Sequence, residues 1–144
     1  MILVVNGPNL NLLGERKPEI YGSKGLSFLE KKLSARAKEL DEQLIFFQSN
    51  HEGKIIDFLH EHRKVAKGVL INPGALAHYS YSLRDALEAI NLPVIEVHIS
   101  DIENREDFRR KSVVEPVAVQ QISGQGLEGY AIGLRRLASH ITEE

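Results

Sequence analysis

The chain contains no cysteine, so neither a disulfide framework nor a thiolate nucleophile is open to it, and a reducing compartment such as the cytoplasm suits it. It has no excess of positive charge either. Its 18 Lys and Arg face 20 Asp and Glu, a formal net charge of -2, and the two signs are interspersed, so nucleic acid and membrane surfaces are not expected as partners. Small molecules and other proteins remain. Long apolar runs are missing: the opening "MILVVNGPN" is stopped by Gly and Pro, too short to span a bilayer and without the basic flank of a signal peptide. Repeats, linkers and low-complexity stretches are absent as well. With 42% hydrophobic residues available to build a core, the expectation is one soluble domain over residues 1–144.

What is present alternates. Short β-branched runs at 2–5 ("ILVV"), 44–49 ("LIFFQS"), 68–72 ("GVLIN"), 94–98 ("VIEVH") and 117–122 ("VAVQQI") read as five strands. The stretch 27–40 between the first two places Leu29, Leu33, Ala37 and Leu40 along one helical face, with Ser27 and Glu30 at capping-box spacing. Residues 54–66, 81–90 and 127–141 read as further helices. Strand, helix, strand, helix predicts an α/β fold of right-handed parallel crossovers with helices on both faces of the sheet. Ligands of such sheets bind beyond the carboxyl ends of the strands. There the chain is polar and turn-rich: "NGPNLNLLGERKPEIYGSKG", "NHEG", "NPGALAHYS" and "ISDIENRED" follow the first four strands. The first of these is long for a connection in a compact domain, which favours a lid over a plain link.

Several motifs carry little chemistry. "GQGLEG" at 124–129 has the glycine spacing of a dinucleotide site, but the chain ends within the following helix, before an acidic ribose ligand is reached, and a tight turn is the better reading. His60 and His62 point to different sides of a helix and read as a solvated face. His51, beside Glu52, is undecided. Nucleophile-elbow and phosphate-loop patterns are absent.

Three groupings carry more. His98 ends an apolar strand, and Glu96 shares its side of the pleat, so a carboxylate can orient the imidazole or hold its charged form as a general acid. A strand-end histidine satisfied by backbone is the bland alternative. Just beyond it, the N–H groups of Ile99 and Ser100 can grip a carboxylate. In "INPGALAH", Pro and Gly bend the chain so that Asn72 and His78 turn toward the crevice, with Arg84 and Asp85 on the next helix. In "GERKPEIYG", an arginine held near a tyrosine favours phenolate and turns the phenol into a base. Arg16 and Tyr21 can be that pair, or Ile20 and Tyr21 merely anchor the loop.

Taken together, "NGPNLNLLGERKPEIYG", "QSNHEG", "INPGALAHYSYSLRDAL", "PVIEVHISDIENREDFRRKS" and "GYAIGL" resemble the type II 3-dehydroquinate dehydratase family along nearly the whole chain. The resemblance implies a flavodoxin-like sheet ordered 2-1-3-4-5, no cofactor, and dehydration of 3-dehydroquinate to 3-dehydroshikimate in the shikimate pathway. It implies Tyr21 as general base, Arg16 as the residue that makes it basic, and Asn9 as holder of a water against the enolate oxygen. His98, backed by Glu96, would be the general acid. Asn72 and the Ile99 and Ser100 amides would hold the substrate carboxylate, and His78, Arg109 and Asp85 its ring hydroxyls. It further implies a homododecamer of trimers in which Asp85 reaches across a subunit interface. Ala77 and Tyr79 stand where many relatives have threonine, and Asp101 where asparagine is common; the role of Arg105 is open.

Two competing readings differ in class. A non-catalytic binding module on the same fold would tolerate Tyr21→Phe. A Schiff-base dehydratase would need a buried reactive lysine, whereas Lys54, Lys67 and Lys111 read as helix-face or loop residues.

Overall fold

The computed structural model describes residues 1–15, 19 and 23–143. Five strands, β1 (Ile2–Asn6), β2 (Leu44–Gln48), β3 (Gly68–Asn72), β4 (Val94–His98) and β5 (Gln120–Ser123), form one parallel sheet ordered β2-β1-β3-β4-β5. This is the flavodoxin-like order expected above. Helices α1 (Leu26–Glu39), α2 (Glu52–His62), α3 (Tyr81–Ala89), α4 (Asp107–Arg110) and α5 (Glu128–Glu143) connect or follow the strands.

The pleat sorts the apolar residues into two cores. Ile2 and Val4 of β1, Leu70 of β3, and Ile95 and Val97 of β4 face Leu29 and Leu33 of α1 and Leu134 and Leu137 of α5. Leu3 and Val5, Val69 and Ile71, and Val94 face Ile55 and Leu59 of α2 and Leu83 and Leu87 of α3. Near-continuous apolar strands are what a sheet covered on both faces requires. Each fully buried Leu or Ile contributes roughly 1.5–3 kcal/mol. Ser80 caps α3 by accepting the Leu83 N–H at 3.0 Å. Among the described residues no helix is long and apolar enough to cross a membrane.

Some local readings are corrected. Helix α1 starts at Leu26, not Ser27, so its N-cap is Gly25 and no side chain caps it. Leu26 packs on the first core and draws the helix start two residues earlier than a Ser27 cap would place it, which leaves Ser27 inside the first turn. The fifth strand begins at Gln120 instead of Val117, because Pro116 sits in a short 3₁₀ turn, Glu115–Val117, and has no N–H to offer a ladder. The chain reaches the sheet at Val119, whose N–H donates to the Val94 carbonyl at 2.8 Å. His62 is not simply solvated: its ring lies 4.3 Å from that of Phe58 and its Nδ1 bonds the Phe58 carbonyl at 2.9 Å. Gly124 and Gly126, both at positive φ, make the turn from β5 to α5, and their N–H groups bond the Ser100 and Ile99 carbonyls.

Candidate active site

Parallel register brings polar strand ends into line. Asn6 lies opposite Gln48 on one side and Asn72 on the other, and His98 lies opposite Ser123. Just beyond, a cavity of about 140 Å³ is lined by Pro8, Asn9, Leu10, Asn72, Gly74, Ala75, His78, His98, Ile99, Ser100, Ile102, Arg105 and Arg109. The loops after β1 and β3 touch closely here. The Gly7 N–H donates to the Asn72 carbonyl at 2.8 Å, and a β-carbon on Gly7 would stand 2.3 Å from the Pro73 carbonyl oxygen. Only glycine fits that approach.

Below the cavity lies a buried polar chain. Asn6 and Asn72 share the pleat face of Val4 and Leu70, so both point toward α5. There the fully buried Tyr130 hydroxyl donates to Asn6 Oδ1 at 2.6 Å and accepts from Asn72 Nδ2 at 2.9 Å. Asn72 Oδ1 in turn accepts the Gly74 N–H at 3.1 Å. Burial pushes the Tyr130 phenol well above its ordinary range, with the Asn72 hydrogen bond opposing. Tyr130 therefore stays a neutral donor, and the Asn72 amide has one orientation, its second Nδ2 hydrogen left for the cavity.

On the opposite pleat face, Glu96 replaces what would be a core aliphatic residue. Its carboxylate is 0% exposed, and Oε2 bonds Nε2 of His98, itself 6% exposed. With Nε2 taken, Nδ1 is the ring nitrogen available to the cavity. The same Oε2 accepts the Ser112 hydroxyl at 2.7 Å. His78 stacks beside His98 with ring centroids 6.3 Å apart, and its Nδ1–H donates to the Lys111 carbonyl at 2.7 Å.

The cavity's cationic wall comes from the 99–110 segment. Arg105 Nη1 donates to Ser100 Oγ at 3.0 Å. Arg109 lies over the Phe108 ring at 5.1 Å and pairs with Glu106 at 3.1 Å, its buried Nε having no hydrogen-bond partner among the described residues. Asp101 caps the 3₁₀ turn Ile102–Asn104 through the Glu103 N–H at 3.1 Å. Asn9 adopts a left-handed backbone, φ 71°, and its N–H donates to Asn50 Oδ1 at 2.9 Å. Two imidazoles, two guanidiniums and convergent amides suit a small polyhydroxylated anion and a proton transfer.

The structure thus gathers Asn9, Asn72, His78, His98, Ile99, Ser100 and Arg109 around one cavity, with Glu96 directly behind. Asp85 is exposed on α3 and does not line that cavity. Arg16 and Tyr21 lie outside the described residues. His51 caps nothing with its side chain and stands away from the cavity wall. Among the described residues no group of three or more His, Asp and Glu is placed to hold a metal ion.

Three residues escaped the sequence reading. Asn6 follows from strand parity with Val4. Ser112 and Tyr130 fall within "FRRKS" and "GYAIGL", yet nothing local marks a serine after "RRK" or a tyrosine in an apolar stripe as belonging to the site. Arg105, left open above, is a cavity-lining residue.

Residues 1–138 match the family model described as dehydroquinase class II. Among curated proteins, the chain is 54% identical over 140 residues to the 3-dehydroquinate dehydratase of Halothermothrix orenii, covering 97% of this chain and 95% of that protein. It is 52% identical over 137 residues to that of Bacillus subtilis, covering 95% and 93%. The crystal structure of type II dehydroquinase from Butyrivibrio crossotus superposes with a TM-score of 0.92 at 47% identity, over 94% of this chain and 95% of that one.

Proposed function

The chain belongs to the class II dehydroquinase family, and from that premise we propose that it dehydrates 3-dehydroquinate to 3-dehydroshikimate in the shikimate pathway by a stepwise anti elimination. Tyr21, made basic by Arg16, removes the C2 proton beside the ketone. The resulting enolate is held by a water on Asn9, preorganised donors of this kind being worth about 3–4 kcal/mol in transition-state stabilisation. His98 then protonates the C1 hydroxyl. The C1–O bond breaks, water departs, and the enolate electron pair forms the C1–C2 double bond as the ketone is restored.

Supporting this reading is one observation above the rest: His98 stands in the cavity wall with one ring nitrogen held by a fully buried carboxylate and the other available to the cavity. Glu96 orients the imidazole through its bond to Nε2. Asn72 with the Ile99 and Ser100 amides binds the substrate carboxylate, and His78 and Arg109 bind ring hydroxyls. Asp85, exposed on α3, completes the site of a neighbouring subunit in a dodecamer of trimers. The enzyme is a single catalytic domain that works in the cytoplasm.

The test is the ultraviolet absorbance of the conjugated enone carboxylate when purified protein meets 3-dehydroquinate. Parent protein is expected to turn over, and Tyr21→Phe and His98→Ala to lose roughly 10²–10⁴-fold in rate while staying folded. A folded, assembled parent without turnover would leave a binding module as the function.

A further inference from the structure

Three consecutive residues after α4 hold both histidines of the site. The Lys111 carbonyl takes the His78 Nδ1–H at 2.7 Å, the Ser112 hydroxyl takes hold of Glu96 at 2.7 Å, and the Val113 N–H donates to the Ala77 carbonyl at 2.7 Å. Among these, Ser112 is the one whose side chain joins the acid pair. It is 7% exposed, against 0% for Glu96 and 6% for His98, so water does not substitute freely for its contact.

Its proton has a defined direction. A serine hydroxyl offers one donor and two acceptor positions. Ser112 Oγ accepts from the Val114 and Glu115 N–H groups, each at 3.2 Å. With both acceptor positions filled, the hydroxyl proton goes to Glu96 Oε2. That oxygen then receives two donors, Ser112 Oγ and His98 Nε2, while Glu96 Oε1 is buried without a hydrogen-bond partner among the described residues. All of the specified geometry of the carboxylate therefore runs through Oε2. Rotating Glu96 about its last torsion would break both bonds together.

We infer that Ser112 is a positioning residue for the general acid: it locks the Glu96 carboxylate so that His98 keeps its Nε2 proton and delivers the Nδ1 proton to the departing hydroxyl. This rests on the dehydratase reading above and adds to it a role for a residue that touches neither substrate nor cavity. Ser112 acts on the second half of the reaction, C1–O cleavage. It has no part in removal of the C2 proton, which belongs to Tyr21.

That division supplies a test that loss of packing cannot imitate. Parent, Ser112→Ala and Ser112→Thr are assayed for enone formation and, in deuterium oxide, for deuterium entering C2 of unreacted 3-dehydroquinate. Ser112→Ala is expected to lower kcat about 10–100-fold, the range for removing a group that orients a reacting residue, with KM within about twofold. Deuterium exchange at C2 continues near the parent rate, so exchange outruns dehydration. Ser112→Thr, which keeps the hydroxyl, restores kcat. Should the alanine variant not fold, Ser112→Cys, close in size and a weak donor, takes its place with the same expectation. An active parent with a Ser112→Ala kcat at parent level, or with exchange and dehydration falling in step, overturns the role of Ser112 alone. A folded parent with no turnover overturns the dehydratase reading and this inference with it.

Discussion

Tyr130 and Asn72 lie 58 residues apart in the chain and are joined by a hydrogen bond of 2.9 Å beneath the cavity. The bond runs from a cavity-lining amide to a phenol that never meets solvent, so it transmits the position of α5 to the site wall. Strand parity aims Asn72 at α5, and the tyrosine is long enough to meet it from the first turns of that helix. Asn6 takes the phenol's own proton at 2.6 Å.

Tyr130→Phe tests that link. The substitution keeps the ring and its packing but leaves Asn6 Oδ1 and Asn72 Nδ2 short of a partner, with the two residues only 1% and 4% exposed. Orphaning buried polar groups costs about 1–3 kcal/mol, read as a lower midpoint in urea. If Asn72 binds the substrate carboxylate in ground and transition states alike, KM rises several-fold while kcat changes by less than about twofold. Unchanged stability and unchanged KM would show that the amide holds its orientation without the phenol.

Alkaline pH should bring the same two proteins closer in stability. Burial raises the Tyr130 phenol in the folded state, whereas in the unfolded chain it ionises near its free value of about 10. Above that pH the unfolded state binds fewer protons than the folded one, so stability falls as pH rises. The parent's contribution from Tyr130 is complete below pH ~10 and declines above it by about 1.4 kcal/mol per pH unit. Urea midpoints of the parent should therefore drop toward those of Tyr130→Phe as pH rises from about 10 to 11, a loss of roughly 1 kcal/mol. Parallel curves for the two proteins across this range would contradict it.

Glycine positions give a pair of opposite sign. Gly7→Ala places a β-carbon 2.3 Å from backbone oxygen of Pro73, and backbone of both loops must shift, at a cost of about 1–3 kcal/mol or more. Because Asn6, Pro8 and Asn9 flank that contact, activity should fall along with stability. Gly53, in the first turn of α2, has nothing within 4 Å of the same position. Gly53→Ala is expected to stabilise by about 0.4–1 kcal/mol with unchanged turnover. Thermal unfolding of the two variants, run beside the parent, decides both.

How far the sequence reveals this site depends on how local each relationship is. Glu96 and His98 share a strand face because side chains alternate, so period two alone pairs them. The two-sided sheet was legible for a similar reason, since apolar strands alternating with amphipathic helices admit few other arrangements. The strand order came from family resemblance, because alternation by itself does not say which strand lies next to which. Ser112 joins Glu96 only after the chain has passed through α4 and turned back, 16 residues on. Tyr130 meets Asn6 across 124 residues, and its spacing along α5 marks it as core, which it also is. The start of α1 was misread for a physical reason too: a capping serine competes with burial of Leu26, and burial decides.

The ion pair between Lys32 of α1 and Glu128 of α5 offers a last, deliberately small effect. Its atoms stand 2.7 Å apart, but the side chains are 33% and 51% exposed. The hydrogen bond and charge of Lys32 hold the Glu128 carboxyl below its usual range. A lowered folded value means stability that is present above the unfolded carboxylate range, near pH 4.3, and is lost as pH falls through the folded value. Solvent screening limits the size: exposed pairs contribute about 0.2–1 kcal/mol. A double-mutant cycle with Lys32→Ala and Glu128→Ala should give a coupling in that range at pH 7, reduced in 1 M salt and gone by pH ~2. The two helices are held chiefly by Leu29, Leu33, Leu134 and Leu137 meeting over the sheet, and Leu33→Ala should cost about 2–5 kcal/mol. A coupling of several kcal/mol, or one that survives acid, would mean that the pair and not the leucines fastens α1 to α5.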